Sequence, residues 1–318
     1  MTTLAIEARD LVRDFGPIRA LDHLSFEVPA GIVFGFLGPN GAGKTTAIRT
    51  FLGLVEPTSG SARVFGFDTR REGDRVRERA GALLEHHGLY ERLTAEQNLD
   101  FAGRVWRMPV LDRRSRIREL LDQFGLWDRR YEAVGKWSRG MKQKLAVARA
   151  VFHRPPLVFL DEPTAGLDPV ASAALRDDLA SLATGQGVTV FLTTHNLVEA
   201  ERLCDLVGVI RRGQLAALGP PASLRPGDSA YVRVTGTGLD ADMAQRAASL
   251  PGILEATAAD GALEVKLAEG ARPAELVALL VQHGVAIDEV RRARQTLEEA
   301  FLELVSDDAA GSRPEGRR

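Results

Sequence analysis

The stretch "GPNGAGKTT", from Gly38 to Thr46, decides the fold of this chain. It fits the pattern Gly-x-x-x-x-Gly-Lys-[Ser/Thr], in which the glycines let backbone N–H groups point at phosphate oxygens, the lysine neutralises charge and the hydroxyl reaches Mg²⁺. The apolar run "IVFGFL" precedes it, and "TTAIRTFLGLV" in and after it carries apolar residues at helical spacing. A strand, this loop and a helix in that order predict a phosphate cradle, because a helix N-terminus supplies oriented donors and a positive dipole end.

The composition limits the classes of protein to consider. With 318 residues, 45% of them hydrophobic, the chain can form one large domain and a smaller one. A formal charge of −2 gives no indication of a nucleic-acid partner. The single cysteine, Cys204, excludes an internal disulfide and is predicted to be a buried structural thiol. We expect neither a signal peptide nor a membrane-spanning helix, so any membrane role requires a partner.

The order of patterns along the chain predicts an α/β fold. Residues 1 to about 85 show short strands around the loop, and residues of about 90–155 show the helical spacing of an inserted helical segment. Strands return with "PLVFLDEP" and "GVTVFLTTH", each followed by a helical stretch, which is the alternation of parallel βαβ units. Within the helical insert, a run of arginines favours a solvated helix face over a nucleic-acid contact: Arg113, Arg114, Arg116 and Arg118.

A second, smaller domain is predicted at the C-terminal end. The segment "LGPPASLRPGD", residues 218–228, is rich in proline and glycine and is interpreted as a linker. The following pattern, βαββαβ with an Asp-Gly turn between the middle strands, predicts a ferredoxin-like α+β sandwich. A last helix "TLEEAFLELV" and a disordered polar tail complete the chain. The predicted domains are residues 1–225, residues 226–306 and a tail of residues 307–318.

Acidic residues and a histidine end two of the predicted strands. Asp161 suits a Mg²⁺ ligand and Glu162 suits polarising the water that attacks a γ-phosphate, although two solvated acids at a strand end remain an alternative. His195 follows the next strand and is expected to face the phosphate crevice; the alternative is a helix-capping histidine without a function. Ser138 and Gly140 precede another long helix, which predicts a second anion site.

Together these segments resemble the ATP-binding cassette (ABC) family of transport ATPases over residues 1–225. "GPNGAGKTT" resembles its Walker A motif, "LVFLDEP" its Walker B, "WSRGM" its signature, "AGLD" its D-loop, and His195 its switch histidine. The family pairs two cassettes head to tail, so that each ATP lies between one Walker A motif and the signature of the other subunit. The resemblance therefore implies that Ser138 and Gly140 contact ATP across a dimer, and that Phe15 stacks on the adenine.

The resemblance also assigns the remaining site residues. The implied catalytic residues are Glu162, His195 and Lys44, and the implied Mg²⁺ ligands are Thr45, Asp161 and Glu85. The implied ATP contacts are Phe15, Gly38, Pro39, Asn40, Gly41, Ala42, Gly43, Lys44, Thr45, Thr46, Ser138, Gly140 and Asp168.

Within the family, "SRGMKQ", "TTHNLVEAERLCD" and "TLEEAFLEL" resemble the daunorubicin-resistance type of drug exporter over the whole chain. Two motifs depart from the general family pattern: the signature contains Arg139 and Met141, and Glu85 stands where the Q-loop glutamine is expected. The resemblance implies an ATPase subunit that works as a homodimer with separate transmembrane permeases, at the cytoplasmic face of the membrane. Two alternatives are a soluble nucleotide-gated clamp acting on ribosomes or DNA, and a catalytically silent regulatory cassette.

Overall fold

The computed structural model describes residues 3–224, 231–259, 261–268 and 270–293. The chain divides into two compact units between Pro221 and Ala222. Part of the predicted linker, the predicted last helix and the predicted disordered tail lie outside the described residues. No helix in the described part of the chain is both long and apolar enough to span a membrane.

The first unit alternates strands with helices. Its strands are β1 Leu4–Phe15, β2 Ile18–Pro29, β3 Val33–Leu37, β4 Ser59–Val64, β5 Phe67–Asp68, β6 Ala80–Leu83, β7 Leu157–Asp161, β8 Thr189–Thr194, β9 Leu206–Arg211 and β10 Gln214–Gly219. Its helices are α1 Lys44–Phe51, α2 Gly73–Arg79, α3 Ala95–Val105, α4 Val110–Gln123, α5 Arg139–Ala150, α6 Pro169–Gln186 and α7 Leu197–Leu203.

Two sheets organise this unit. The larger sheet has the order β10-β9-β3-β8-β7-β6, and its neighbours are parallel except for the antiparallel pair β10 and β9. This arrangement confirms the predicted α/β fold with parallel βαβ units. Because β3, β8 and β7 are adjacent and parallel, the residues that follow their carboxyl ends meet at one edge of the sheet. The smaller sheet, β2-β1-β4-β5, is antiparallel.

A cluster of phenylalanines fixes α1 to the larger sheet. Phe34 of β3 and Phe191 of β8 have ring centroids 5.1 Å apart, and Phe51 of α1 packs against Phe159 of β7 at 6.3 Å. All four side chains are fully buried. Truncating such a ring costs about 3–5 kcal/mol. This packing therefore fixes the start of α1, where the glycine-rich loop ends, relative to the strand ends.

Helices α3, α4 and α5 form the predicted helical insert, but the interpretation of its arginines as a solvated face is wrong for two of them. Arg116 is 2% exposed and donates hydrogen bonds to the backbone carbonyls of Val151 and Phe152, just after α5. Arg113 is also buried and is paired with Asp100 of α3. The backbone carbonyls and the carboxylate compensate the cost of burying these two charges. Both guanidinium groups therefore connect helices of the insert from the inside.

The second unit has the predicted ferredoxin-like order of elements. They are β11 Tyr231–Thr237, α8 Ala241–Ala248, β12 Ile253–Ala259, β13 Ala262–Leu267, α9 Ala274–Gln282 and β14 Ala286–Ala293. The strands form an antiparallel sheet in the order β12-β13-β11-β14. Val232, Val234 and Val265 of the sheet are buried with Leu276 and Leu280 of α9. This alternation of buried residues confirms a small α+β domain.

Candidate active site

The loop between β3 and α1 forms the predicted cradle, and two of its glycines are required by close approach of other strands. Gly43 has a φ of 110° and caps the N-terminus of α1. A Cβ atom there would overlap the backbone carbonyl of Ala20, and one at Gly38 would overlap the carbonyl of Ile210. Larger residues at either position would push the loop away from β2 or β9, so the cradle depends on glycine.

Lys44 lies inside this cradle with only 6% of the residue exposed. Its Nζ donates hydrogen bonds to the carbonyl oxygens of Gly38 at 2.7 Å and Pro39 at 3.3 Å. The same Nζ is 3.3 Å from Oε1 of Glu162. A buried ammonium group surrounded by backbone oxygens can exchange some of them for phosphate oxygens without moving far.

Asp161, at the end of β7, is held between two threonine hydroxyls. Thr45 Oγ1 of α1 donates to Asp161 Oδ2 at 2.7 Å, and Thr193 Oγ1 of β8 donates to Oδ1 at 2.6 Å. A hydroxyl and a carboxylate beside the cradle are hard oxygen donors of the kind that Mg²⁺ prefers. The donor set at Thr45 and Asp161 therefore fits a magnesium ion bound together with nucleotide phosphates.

Glu162 joins the lysine and the histidine. Its Oε2 lies 2.7 Å from Nδ1 of His195, while Oε1 faces Lys44. The residue has a φ of 51°, in the left-handed region, and its backbone N–H donates to both the carbonyl and the hydroxyl of Thr193. These hydrogen bonds hold the left-handed backbone of Glu162 against the end of β8. Glu162 and His195 are thereby placed together above the cradle.

Ser138 and Gly140, the predicted second anion site, lie at the N-terminus of α5, beside the N-terminus of α6. Ser138 caps α5 by accepting the N–H of Met141 at 3.3 Å, and Asp168 caps α6. Gly140 faces α6 so closely that a Cβ atom there would be 3.0 Å from the Cβ of Ala171. The predicted signature segment therefore packs against the first turn of α6 within one chain.

Arg139 packs on the D-loop glycine and also borders the cradle. Its guanidinium lies so close to Gly166, which has a φ of 68°, that a Cβ atom at Gly166 would overlap it. Arg139 and Gln143 help to line a cavity of about 530 Å³ that extends from the cradle. Ser138 and Gly140 are not among the described residues that line this cavity, and Gln143 was not predicted as a site residue.

Glu85 and Phe15 lie at the margins of the site. Glu85 follows β6 and borders the same cavity; its side chain is 71% exposed and lies 3.8 Å from Arg49 Nη2. Two residues further on, burial and the charge of Arg139 lower the pKa of His87. Phe15 is 44% exposed at the end of β1, and the guanidinium of Arg13 lies 4.3 Å from its ring centroid.

Sequence reasoning missed the threonines that organise these groups. Thr193 binds Asp161 and Glu162, while Thr194 and Thr164 both donate to the buried Glu199 of α7. The signal in the sequence was the pair of hydroxyls in "TTH", directly before His195. These hydroxyls reach Asp161 and Glu199 only because β8 lies between β3 and β7, and the sequence alone does not specify that order.

A phosphate cradle after β3, adjacent carboxylates after β7 and a histidine after β8 define a P-loop ATPase. The family model described as "ABC transporter" matches residues 21–165. Together with the full-length relatives described next, this match shows that the chain belongs to the ABC transporter family, as an ATP-binding ATPase subunit.

Two of the similar proteins match nearly the whole chain, and a third matches about 70% of it. The bacitracin transport ATP-binding protein of Bacillus licheniformis is 34% identical over 98% of this chain and 100% of its own. A daunorubicin resistance ATP-binding protein of Streptomyces coeruleorubidus is 36% identical over 97% of this chain and 98% of its own. The daunorubicin/doxorubicin resistance protein of Streptomyces peucetius is 42% identical over 70% of this chain and 67% of its own.

Solved structures of ABC ATP-binding proteins match about 70% of the chain. The ATP-binding subunit of an ABC transporter has a TM-score of 0.63 and 32% identity, and the match covers 70% of this chain and 92% of that one. The cbiO1 protein from Clostridium perfringens, part of the ABC transporter complex cbiONQ, has a TM-score of 0.66 and 25% identity over 70% of this chain and 90% of that one.

Proposed function

We propose that this chain hydrolyses ATP to energise the export of drugs, antibiotics or related hydrophobic compounds through separate transmembrane permease subunits. Its working form is a homodimer bound at the cytoplasmic face of the membrane. The resistance and bacitracin transport functions in the names of the full-length relatives support this class of cargo. No observation on the described residues favours a clamp acting on ribosomes or DNA.

The observation that carries the proposal is the arrangement around Glu162. Its carboxylate lies between the ammonium of Lys44 and the imidazole of His195, at the carboxyl edge of the sheet. A water molecule between this carboxylate and a γ-phosphate in the cradle would be polarised for attack. Lys44 and His195 would then donate to the phosphate oxygens, where negative charge develops.

Mg²⁺ is assigned to the oxygens of Thr45 and Asp161, with Glu85 as a further ligand. The bound ion would neutralise phosphate charge. The contribution of this chain is to hold the two oxygens in place, since the hydroxyl of Thr193 fixes the other side of the Asp161 carboxylate.

A groove beside the helical insert supports the proposal that the chain binds a permease. It has a volume of about 300 Å³ and lies between β6 and the insert. Tyr90, Phe101, Val105 and Trp106 line it, and each of these residues is at least 36% exposed. Several exposed apolar residues in one groove are typical of an interaction site, and a permease segment is the partner we assign to it.

The experiment that tests the proposal is the substitution Glu162→Gln. It keeps the size and an oxygen acceptor but removes the negative charge that polarises water, so ATP hydrolysis should fall by at least about a hundredfold. ATP binding should persist, and size-exclusion chromatography with Mg-ATP should show a trapped dimer.

The matched control is Glu78→Gln, which changes an exposed glutamate of α2 and should leave hydrolysis unchanged. A Glu162→Gln protein that stays monomeric and still hydrolyses ATP would show that Glu162 does not have this role.

A further inference from the structure

Glu199 is a fully buried acidic residue that the proposed reaction does not use. It lies on α7 with 0% of the residue exposed. Its Oε2 accepts hydrogen bonds from Thr164 Oγ1 at 2.8 Å and Thr194 Oγ1 at 2.9 Å. Its Oε1 is buried and has no hydrogen-bond partner among the described residues. Burying a carboxyl group with an unpaired oxygen is costly, so the position of Glu199 calls for an explanation.

The two threonines come from the two segments that carry Glu162 and His195. Thr164 follows Glu162 by two residues, in the connection between β7 and α6. Thr194 ends β8 and directly precedes His195. One oxygen of Glu199 therefore connects the segment that carries Glu162, the proposed general base, to the segment that carries His195.

A third tether lies on the other side of Glu162. The N–H of Glu162 donates to Thr193, the residue before Thr194. The left-handed backbone of Glu162 is thus held before and after the residue, by Thr193 and by the bond from Thr164 to Glu199. A sparsely populated backbone conformation persists only when the surrounding contacts determine it in this way.

We infer that Glu199 is a positioning residue for hydrolysis, which fixes the Glu162 carboxylate relative to His195 by holding their two segments together. The inference rests on the proposed roles of Glu162 and His195. A carboxylate that is displaced from its productive position loses rate without losing the contacts that bind ATP, because the cradle residues are not part of this network. The turnover number should therefore depend on Glu199 while nucleotide affinity does not.

The test measures kcat, the Kd of a fluorescent ATP analogue and the thermal midpoint of unfolding for three variants. Glu199→Ala removes the acceptor, and kcat should fall about tenfold or more, as expected for the loss of two buried hydrogen bonds. Thr164→Val removes one hydroxyl with little change in shape and should lower kcat severalfold. Glu199→Gln keeps an acceptor oxygen for both hydroxyls and should retain most of the turnover. In all three, the Kd should stay within about twofold of wild type.

Two controls separate positioning from stability. Thr184→Val changes an exposed threonine of α6 whose hydroxyl donates only to the carbonyl of Ala180, so kcat should not change. Leu182→Ala truncates a buried leucine of α6 and should lower the thermal midpoint without the selective loss of kcat. If Glu199→Ala does not fold, Thr164→Val and Glu199→Gln still carry the test.

The inference is overturned if Thr164→Val has wild-type kcat, or if kcat and the Kd change together. It is supported further if the double substitution of Glu199→Ala with Thr164→Val loses less than the product of the two single effects, since the residues then act through their shared bond. An active Glu162→Gln protein would overturn the proposed role of Glu162 in hydrolysis, on which the inference rests. An inactive Glu162→Gln protein with a fully active Thr164→Val protein would overturn only the inference.

Discussion

Glu162 has a left-handed backbone, which is unfavourable for a residue other than glycine, yet the proposed reaction requires its carboxylate. A left-handed backbone costs roughly 1 kcal/mol for a residue with a Cβ atom, and glycine would avoid that cost. A carboxylate is nevertheless present, and Thr193 and Thr164 hold the segment in this conformation. The position is explained by what the side chain touches: Lys44 on one oxygen and His195 on the other.

At the same scale, Glu85 tests the assignment of the third Mg²⁺ ligand. Because a carboxylate ligates a hard cation, Glu85→Ala should raise the Mg²⁺ concentration needed for half-maximal ATPase activity. Glu85→Gln should restore part of the affinity, since it returns an oxygen donor. Glu56→Ala, which removes a similarly exposed partner of Arg70, is the matched control and should leave the Mg²⁺ titration unchanged. Identical titrations for wild type and both Glu85 variants would exclude the ligand role.

At the scale of elements, the sequence predicted the parts that depend on local pattern. The strand, loop and helix around Lys44 follow from apolar spacing and glycines that lie within about 20 residues. Arg116 could not be placed in the same way, because the carbonyls it binds lie 35 and 36 residues further along the chain. The contacts of Thr193 likewise depend on the order of strands in the sheet. Local periodicity identifies elements, whereas these residues depend on which elements become neighbours.

The contact between α3 and the end of α5 should make stability depend on pH. His153 stacks on Trp106 with ring centroids 3.7 Å apart, and burial lowers its pKa from 6.5 to about 4. Because the folded state disfavours the protonated ring, its contribution is fully present above about pH 6.5 and is lost as the pH falls towards 4. The free energy of unfolding should fall by about 1–2 kcal/mol at about pH 5, after allowance for partial exposure of the ring.

Urea unfolding followed by circular dichroism checks this prediction. His153→Phe keeps an aromatic ring on Trp106 but cannot be protonated, so its midpoint should change less between about pH 7.5 and about pH 5. The exposed His86→Phe is the control and should keep the wild-type pH dependence. Equal pH dependence in wild type and His153→Phe would show that another group is responsible.

At the scale of the whole molecule, the proposed ATP site combines the cradle of one chain with the signature segment, residues 137–141, of a second copy. The cradle and the acids lie at the edge of the sheet, and Ser138 caps α5 outside the set of described residues that line their cavity. A site assembled from two copies of the chain would use both surfaces, and a head-to-tail pair would form two such sites related by twofold symmetry.

Ser138→Arg tests this assembly. In the Glu162→Gln background, the bulky side chain should prevent ATP-induced dimer formation, measured by size-exclusion chromatography, while each monomer still binds ATP. Thr94→Arg is the matched control, because it also removes a helix N-cap in the insert, at a cost of about 1 kcal/mol, without changing the signature. Undiminished dimer formation by the Ser138→Arg protein would show that the signature does not lie across the nucleotide from its partner.

The burial of Cys204 makes the chain suitable for site-specific labelling of introduced cysteines. Its thiol is buried, and a Cβ atom at Gly35 would overlap the sulfur, so the two segments are tightly packed there. Burial also raises the pKa of the thiol, which keeps it in the unreactive protonated form. A cysteine introduced on the surface will therefore react with a maleimide dye while the native one is protected. Fluorophores or spin labels can thus be attached to the introduced cysteine without first replacing Cys204. Modification of Cys204 itself then reports unfolding.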